Sequence, residues 1–201
     1  TGKELKLAAE VDASVSDFMT TARLYCSGLN FTFNPHRMIL NKVTDCYLTR
    51  EDGERIEIQD DQLYRVVTDL YTGQMLGSVM EMSYGLLKIE PKDKDGNPIE
   101  NLEDQAIMEG DKELKAWDAI ARYMKSFDDT DGNGISNVPE YYETTHGRKV
   151  VDESRNVIDL VKNPNKFSVM IVGIVLVLIL IIILLVVLIR KLIKKRRRKK
   201  K

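Results

Sequence analysis

The stretch A-R-L-Y-C-S-G-L-N-F-T-F-N-P, residues 22–35, decides the fold. Its apolar side chains fall at Leu24 and Cys26 and then, after a change of phase at Ser27-Gly28, at Leu29, Phe31 and Phe33. A period of two puts such residues on one face of a strand. A strand is therefore predicted from Ala22 to Phe33, with a glycine bulge where the phase slips. Upstream, T-G-K-E-L-K-L-A-A-E-V-D-A-S at residues 1–14 places Leu5, Ala8 and Ala9 near helical spacing, which predicts a short amphipathic helix. Downstream, Asn34-Pro35 opens a loop, Lys42 to Leu48 reads as a second strand, and Glu51-Asp52-Gly53-Glu54 is a hairpin-type turn into Arg55 to Ile58. Y-R-V-V-T-D-L-Y at residues 64–71 predicts a further strand with a buried middle, and Tyr84 to Glu90 a short last one. The glycine-interrupted stretch Thr72 to Met82 gives no assignment. Pro91 to Pro98 is a polar turn, and Glu113 to Phe127 returns to helical spacing through Leu114, Trp117, Ile120, Ala121 and Met124. The predicted class is α/β (α+β), a mixed sheet with flanking helices, and about 125 residues suffice for one small core.

The other end of the chain has a different character. Phe167 to Ile189 carries no charge and no proline, and it runs into Arg190 to Lys201, where ten of twelve residues are Lys or Arg. About 20 such residues are needed to cross a hydrocarbon core as a helix, and the basic flank of a span stays cytoplasmic. The reading is a single-pass protein of the cell membrane, with residues 1–166 extracellular and the C-terminus cytosolic. A signal peptide is excluded by position, and a cleaved lipid-anchor signal by the basic end. The whole chain has 30 basic and 31 acidic residues, but removing the tail leaves 20 against 31, a net −11. So acidic an outer part excludes nucleic acid as its partner. The tail is expected to stop transfer and hold membrane lipid through residues 167–201. Because Thr1 is not a start methionine, the chain is expected to be the C-terminal piece of a longer protein.

T-G-K-E-L at residues 1–5, S-G-L-N-F-T-F-N-P at 27–35, the Asp52-Gly53 turn and Y-R-V-V-T at 64–68 follow one another in an order that resembles the C-terminal domain of the 5′-nucleotidases. That family includes bacterial UDP-sugar hydrolases and 2′,3′-cyclic phosphodiesterases. The resemblance implies a partial, N-terminally truncated domain over residues 1–127. It also implies a metallophosphoesterase domain upstream, with two divalent metal ions that activate a water, and a nucleotide or other phosphate ester as substrate. In the family two aromatic rings stack the nucleoside base. This chain has Arg23 at the first of those positions and M-L-G-S-V, Met75 to Val79, where the second loop would lie. Tyr71 or Tyr84 is the candidate replacement, against the commoner alternative of core tyrosines. The competing function is a non-enzymatic surface module for binding or adhesion.

A second pattern is independent of that one. Asp129-Thr130-Asp131-Gly132-Asn133-Gly134-Ile135-Ser136-Asn137-Val138-Pro139-Glu140 fits D-x-[DN]-x-[DN]-G-x₅-E at each fixed position. Alternate oxygens at Asp129, Asp131 and Asn133, the Ile135 carbonyl, Asn137 and the Glu140 carboxylate would surround a structural Ca²⁺. The stretch also resembles the D-T-D-G-x-G-I calcium repeats of extracellular proteins, and a plain acidic turn before a helix cap is the alternative. The predicted organisation is thus the domain to residue 127, an EF-hand-like or calcium-repeat loop at 128–146, a juxtamembrane stalk at 147–166, the span at 167–189 and the tail at 190–201. Cys26 and Cys46 read either as an extracellular disulfide or as two buried thiols. His36 and His146 read as ordinary loop residues, and no catalytic residue is expected in the chain.

Overall fold

A computed structural model describes residues 1–16, 18–19 and 23–199. Helix α1, Gly2–Val15, begins where the sequence indicates, because Thr1 and Glu4 form a reciprocal capping box. Its Gly2 lies so close to the following loop that a Cβ there would stand 2.1 Å from the Gln59 carbonyl oxygen. Only glycine lets the helix end approach and its Gly2 and Lys3 amides donate to the Gln62 and Asp60 carbonyls at 2.9 and 3.0 Å.

Three strands follow: β1 (Leu29–Phe33), β2 (Val43–Thr49) and β3 (Arg55–Glu57). They pair antiparallel in sequence order, and the Asp52-Gly53 turn joins the last two. The predicted strand start at Ala22 lies outside the described residues, and residues 23–28 are not strand. The register does slip, but between Thr32 and Phe33 rather than at Ser27-Gly28: Thr32 faces Asp45 while Phe33 faces Val43, so Thr44 is passed over. Gly28 instead takes φ +82 at the entry to β1.

Two predicted strands are absent. Residues 64–69 belong to no strand, and Val66 and Val67 are 62% and 70% exposed instead of buried. An isolated β-rich stretch stays single when no neighbouring edge takes up its backbone groups. The glycine-interrupted segment after it is helix α2, Leu70–Met82, started by the Asp69 carboxylate accepting from the Thr72 amide at 2.8 Å. That helix runs into a turn in which Tyr84 and Gly85 have φ +52 and +77, which is incompatible with the strand predicted from Tyr84 to Glu90. Beyond the Pro91–Pro98 turn come a small hairpin, β4 (Met108–Glu109) with β5 (Lys112–Glu113), and helix α3, Ala116–Lys125.

Residues 147–166, expected as a stalk, do more than span a gap. Strand β6, Lys149–Val151, joins β1 in parallel, Phe31 facing Lys149, and completes a mixed sheet of order β3-β2-β1-β6. The short helix α4, Val157–Val161, then leads to α5, Lys166–Lys199, whose stretch Lys166–Arg196 is long and apolar enough to cross a bilayer. Helix α1 is the centre of the packing. Ala9 and Ala13 press on Phe31, Phe33, Val43 and Cys46 of the sheet, and Leu7, Val11 and Val15 meet Leu40, Val79, Leu87 and Phe167. Burial at positions four apart on two sides of one helix explains its run of small residues.

Candidate functional site

Tyr71 and Tyr84 stand at opposite ends of α2, the first in its opening turn and the second just past its end. The eleven helical residues from Thr72 to Met82 lie between them and rise about 17 Å, whereas stacked aromatic rings have centroids about 4.5–7 Å apart. They do not form two faces of one base-binding slot. Both rings are exposed, Tyr71 by 61% and Tyr84 by 99%, so neither is the core tyrosine that was the alternative. Arg23 is exposed as well.

The Asp129 loop has more organisation. Asp129 Oδ1 accepts from the Gly132 amide at 2.8 Å and its Oδ2 from the Gly134 amide at 2.8 Å. Those amide bonds, led by that of Gly134, hold the carboxyl below the usual Asp range. Asp131 Oδ1 accepts from the Asn133 amide at 3.1 Å, Asn133 Oδ1 from the Ile135 amide at 2.8 Å, and Asn137 Oδ1 from the Thr130 amide at 2.7 Å. Asp129, Asp131, Asn133, Ile135 and Asn137 thus belong to one hydrogen-bonded turn. Glu140 starts a separate 3₁₀ turn, Glu140–Glu143, to which none of these bonds reaches. Among the described residues, no three His, Cys, Asp or Glu side chains gather at metal-binding distance.

Aromatic packing closes the two ends of this loop. Tyr123, in the last turn of α3, and Phe127, just past its end, have centroids 5.0 Å apart, and Phe127 meets Tyr142 at 5.6 Å. Tyr141 stacks on His146 at 4.0 Å. His146 is therefore a packing residue, while His36 is exposed and accepts from Arg155 Nε at 3.3 Å. Cys26 and Cys46 are free thiols, and burial pushes Cys46 up to about 11, far from a reactive thiolate.

The residues with the most developed surroundings were not singled out by the sequence. Buried Arg37 donates from Nε to the Asn41 carbonyl at 2.7 Å, from Nη1 to that of Asp159 at 2.5 Å and from Nη2 to that of Lys162 at 2.6 Å. Asn34 Nδ2 donates to the Ser154 carbonyl at 2.7 Å. Asp12 accepts from the Leu24 amide at 2.7 Å and pairs with Lys149 at 2.8 Å. Together they tie α1 and the β1–β2 connection to residues 148–162. A polar cavity of about 220 Å³ lies between Asn34, Arg37, Asp152, Asp159 and Lys162, with charges of both signs on its wall.

All four motifs of the sequence resemblance, T-G-K-E-L, S-G-L-N-F-T-F-N-P, Asp52-Gly53 and Y-R-V-V-T, fall within the N-terminal part of this architecture. Residues 1–83 match the family model "5′-nucleotidase, C-terminal domain". No curated protein and no solved structure matches the chain. The matched segment ends with α2, well inside the residues 1–127 expected from the motifs. Within the matched residues 1–83 Glu4 is the most perturbed carboxylate. Burial opposes its charge, but bonds from Lys92 Nζ at 2.7 Å, the Thr1 hydroxyl and the Glu90 amide at 3.0 Å bring it from 4.5 down to about 2. A carboxylate lowered on folding contributes stability that is complete above its unfolded value and lost as pH falls through the folded one. The thermal stability of the wild-type protein is expected to fall between pH 4.5 and about 2, and Glu4→Gln to be less stable at neutral pH and flatter across that window. Parallel profiles for the two proteins would remove Glu4 from the account.

Proposed function

We propose that this chain supplies the specificity domain and membrane anchor of an extracellular, metal-dependent phosphoesterase of the 5′-nucleotidase class. Its substrates are nucleotides or related phosphate esters, and the two catalytic divalent metal ions belong to a domain outside residues 1–201. The family match over residues 1–83 carries the reading. Helix α5 is its membrane span, with lipid held through residues 167–201 and the basic end in the cytosol. Phosphate release from adenosine and uridine monophosphates, a UDP-sugar and an aryl phosphate tests it. Metal-dependent turnover is expected from the protein isolated from its own membrane and none from residues 1–201 alone. Turnover by neither would favour the non-enzymatic surface module, a reading to which the separation of Tyr71 and Tyr84 already lends support.

We also propose that the loop from Asp129 to Glu140 holds a structural Ca²⁺, with ligands from Asp129, Asp131, Asn133, the Ile135 carbonyl, Asn137 and Glu140. Support comes from the loop signature and from the backbone amides that already keep Asp129 ionised. Closing the shell requires Glu140 to swing in from its 3₁₀ turn. A cation that binds the folded loop alone stabilises it by about 1.4 kcal/mol at ten times Kd. Calorimetry is expected to detect calcium binding to the wild-type protein and not to Asp129→Ala; equal heats for the two would end the proposal.

A further inference from the structure

The root of α5 is gripped by the globular part rather than joined to it by a free linker. Phe167 is 4% exposed and packs with Val11, Leu40 and Leu87, whereas Val169, two residues on, is 62% exposed. Asn165 fixes the exit. Its Oδ1 accepts from the Phe167 and Ser168 amides at 3.1 Å each, and its Nδ2 donates to the Leu40 carbonyl. The apolar surface of α5 therefore begins within a turn of the two loops that carry Leu40 and Leu87. Both loops turn a second apolar residue outward: Ile39 beside Leu40, and Tyr84 with Leu86 beside Leu87. Both are also held in uncommon conformations by their own bonds. Leu40 has φ +59 and its amide donates to Ser14 Oγ at 2.8 Å; Tyr84 has φ +52, and the Leu87 amide donates to Ser83 Oγ at 3.0 Å. In a chain with 31 acidic residues, neither Pro35 to Thr44 nor Met82 to Ile89 contains one.

We propose that these two loops seat in the outer leaflet around α5, with Ile39, Tyr84 and Leu86 at the boundary between headgroups and acyl chains. The proposal rests on the reading of α5 as a membrane span. Continuity with the span identifies lipid as the occupant, because the loops touch the residue at which the lipid-facing helix starts. Tyrosine suits that depth, with its ring in the apolar layer and its hydroxyl among headgroups, and the absence of carboxylates removes the charge that would resist it. Tyr84 thereby acquires a role suited to a ring that touches almost nothing in the protein.

The chain has one tryptophan, Trp117, on the exposed face of α3, so a Trp117→Phe background allows a single reporter to be moved. Full-length chain in lipid nanodiscs would carry Tyr84→Trp, Ile39→Trp, or the control Glu51→Trp in the β2–β3 turn, and be exposed to lipids brominated near the headgroup. Reporters at 84 and 39 are expected to emit at shorter wavelength and lose most of their emission to bromine, while that at 51 is unaffected. Ile181→Trp with deeply brominated lipid tests the span. Quenching at 181 without quenching at 84 and 39 overturns the seat and leaves the anchor standing; no quenching at 181 overturns both. A shortened wavelength at 84 that bromine does not quench would assign the loop to a protein contact and also overturn the proposal.

Discussion

Arg37→Ala is expected to destabilise the globular part by about 3–5 kcal/mol, since each hydrogen bond from a charged donor is worth about 1.5–3 kcal/mol and its loss strands a buried acceptor. The guanidinium reaches the Asn41, Asp159 and Lys162 carbonyls, the last two at the end of α4, where helical carbonyls have no partner of their own. Arg37→Lys is expected to recover little, because one ammonium cannot replace a planar fork that spans three acceptors. Urea unfolding in detergent gives the magnitude. Amide exchange over residues 148–162 tells where it acts, with protection there lost before that of β2. A variant with wild-type protection in that segment would show that Arg37 is not the tie.

Removing the tied segment altogether should have a larger effect. A piece ending at His146 lacks β6, the Lys149 partner of Asp12, and Phe167. Asp12, whose carboxylate is 4% exposed in the intact chain, would lose its charge partner, at about 3–5 kcal/mol, and the lost burial of Phe167 adds about 1.5–3 kcal/mol. Against a net stability of about 5–15 kcal/mol for a domain, such a piece is expected not to fold cooperatively. Extending it to Met170 restores every one of these contacts and is expected to restore a cooperative thermal transition. Equal melting of the two pieces would refute the dependence.

How far the fold could be read in advance follows from how local its causes are. The T-G-K-E capping box, the alternation from Leu29 to Phe33 and the Asp52-Gly53 turn each act within a few residues; α1 and the turn formed where they were predicted, while the strand predicted from Ala22 formed only over Leu29–Phe33. Val66-Val67 has the composition of a buried strand, but composition does not supply the neighbouring edge. Helix α2 was obscured by Gly73 and Gly77, although Asp69 three residues before Thr72 was a usable start signal. Strand β6 is three residues long, too short for any period to declare itself. The site readings divide in the same way. The turn from Asp129 to Asn137 is local and formed as a unit, whereas the placement of Tyr71 and Tyr84 depends on the helix between them.

The parallel pairing of β1 with β6 has a consequence for how the protein is made. Phe31 meets Lys149 118 residues later, and at synthesis rates of about 5–20 residues per second that strand is on the order of ten seconds behind its partner. Until then one side of β1 offers unpaired backbone groups, an open template for any extended chain nearby. Closing so long a loop is also intrinsically slow. The apolar helix α5 leaves the ribosome almost immediately after β6, so with α5 as the proposed membrane span, maturation of the sheet and insertion of that helix would occur together. Mutations that delay insertion would then prolong the interval in which β1 can pair with the wrong chain.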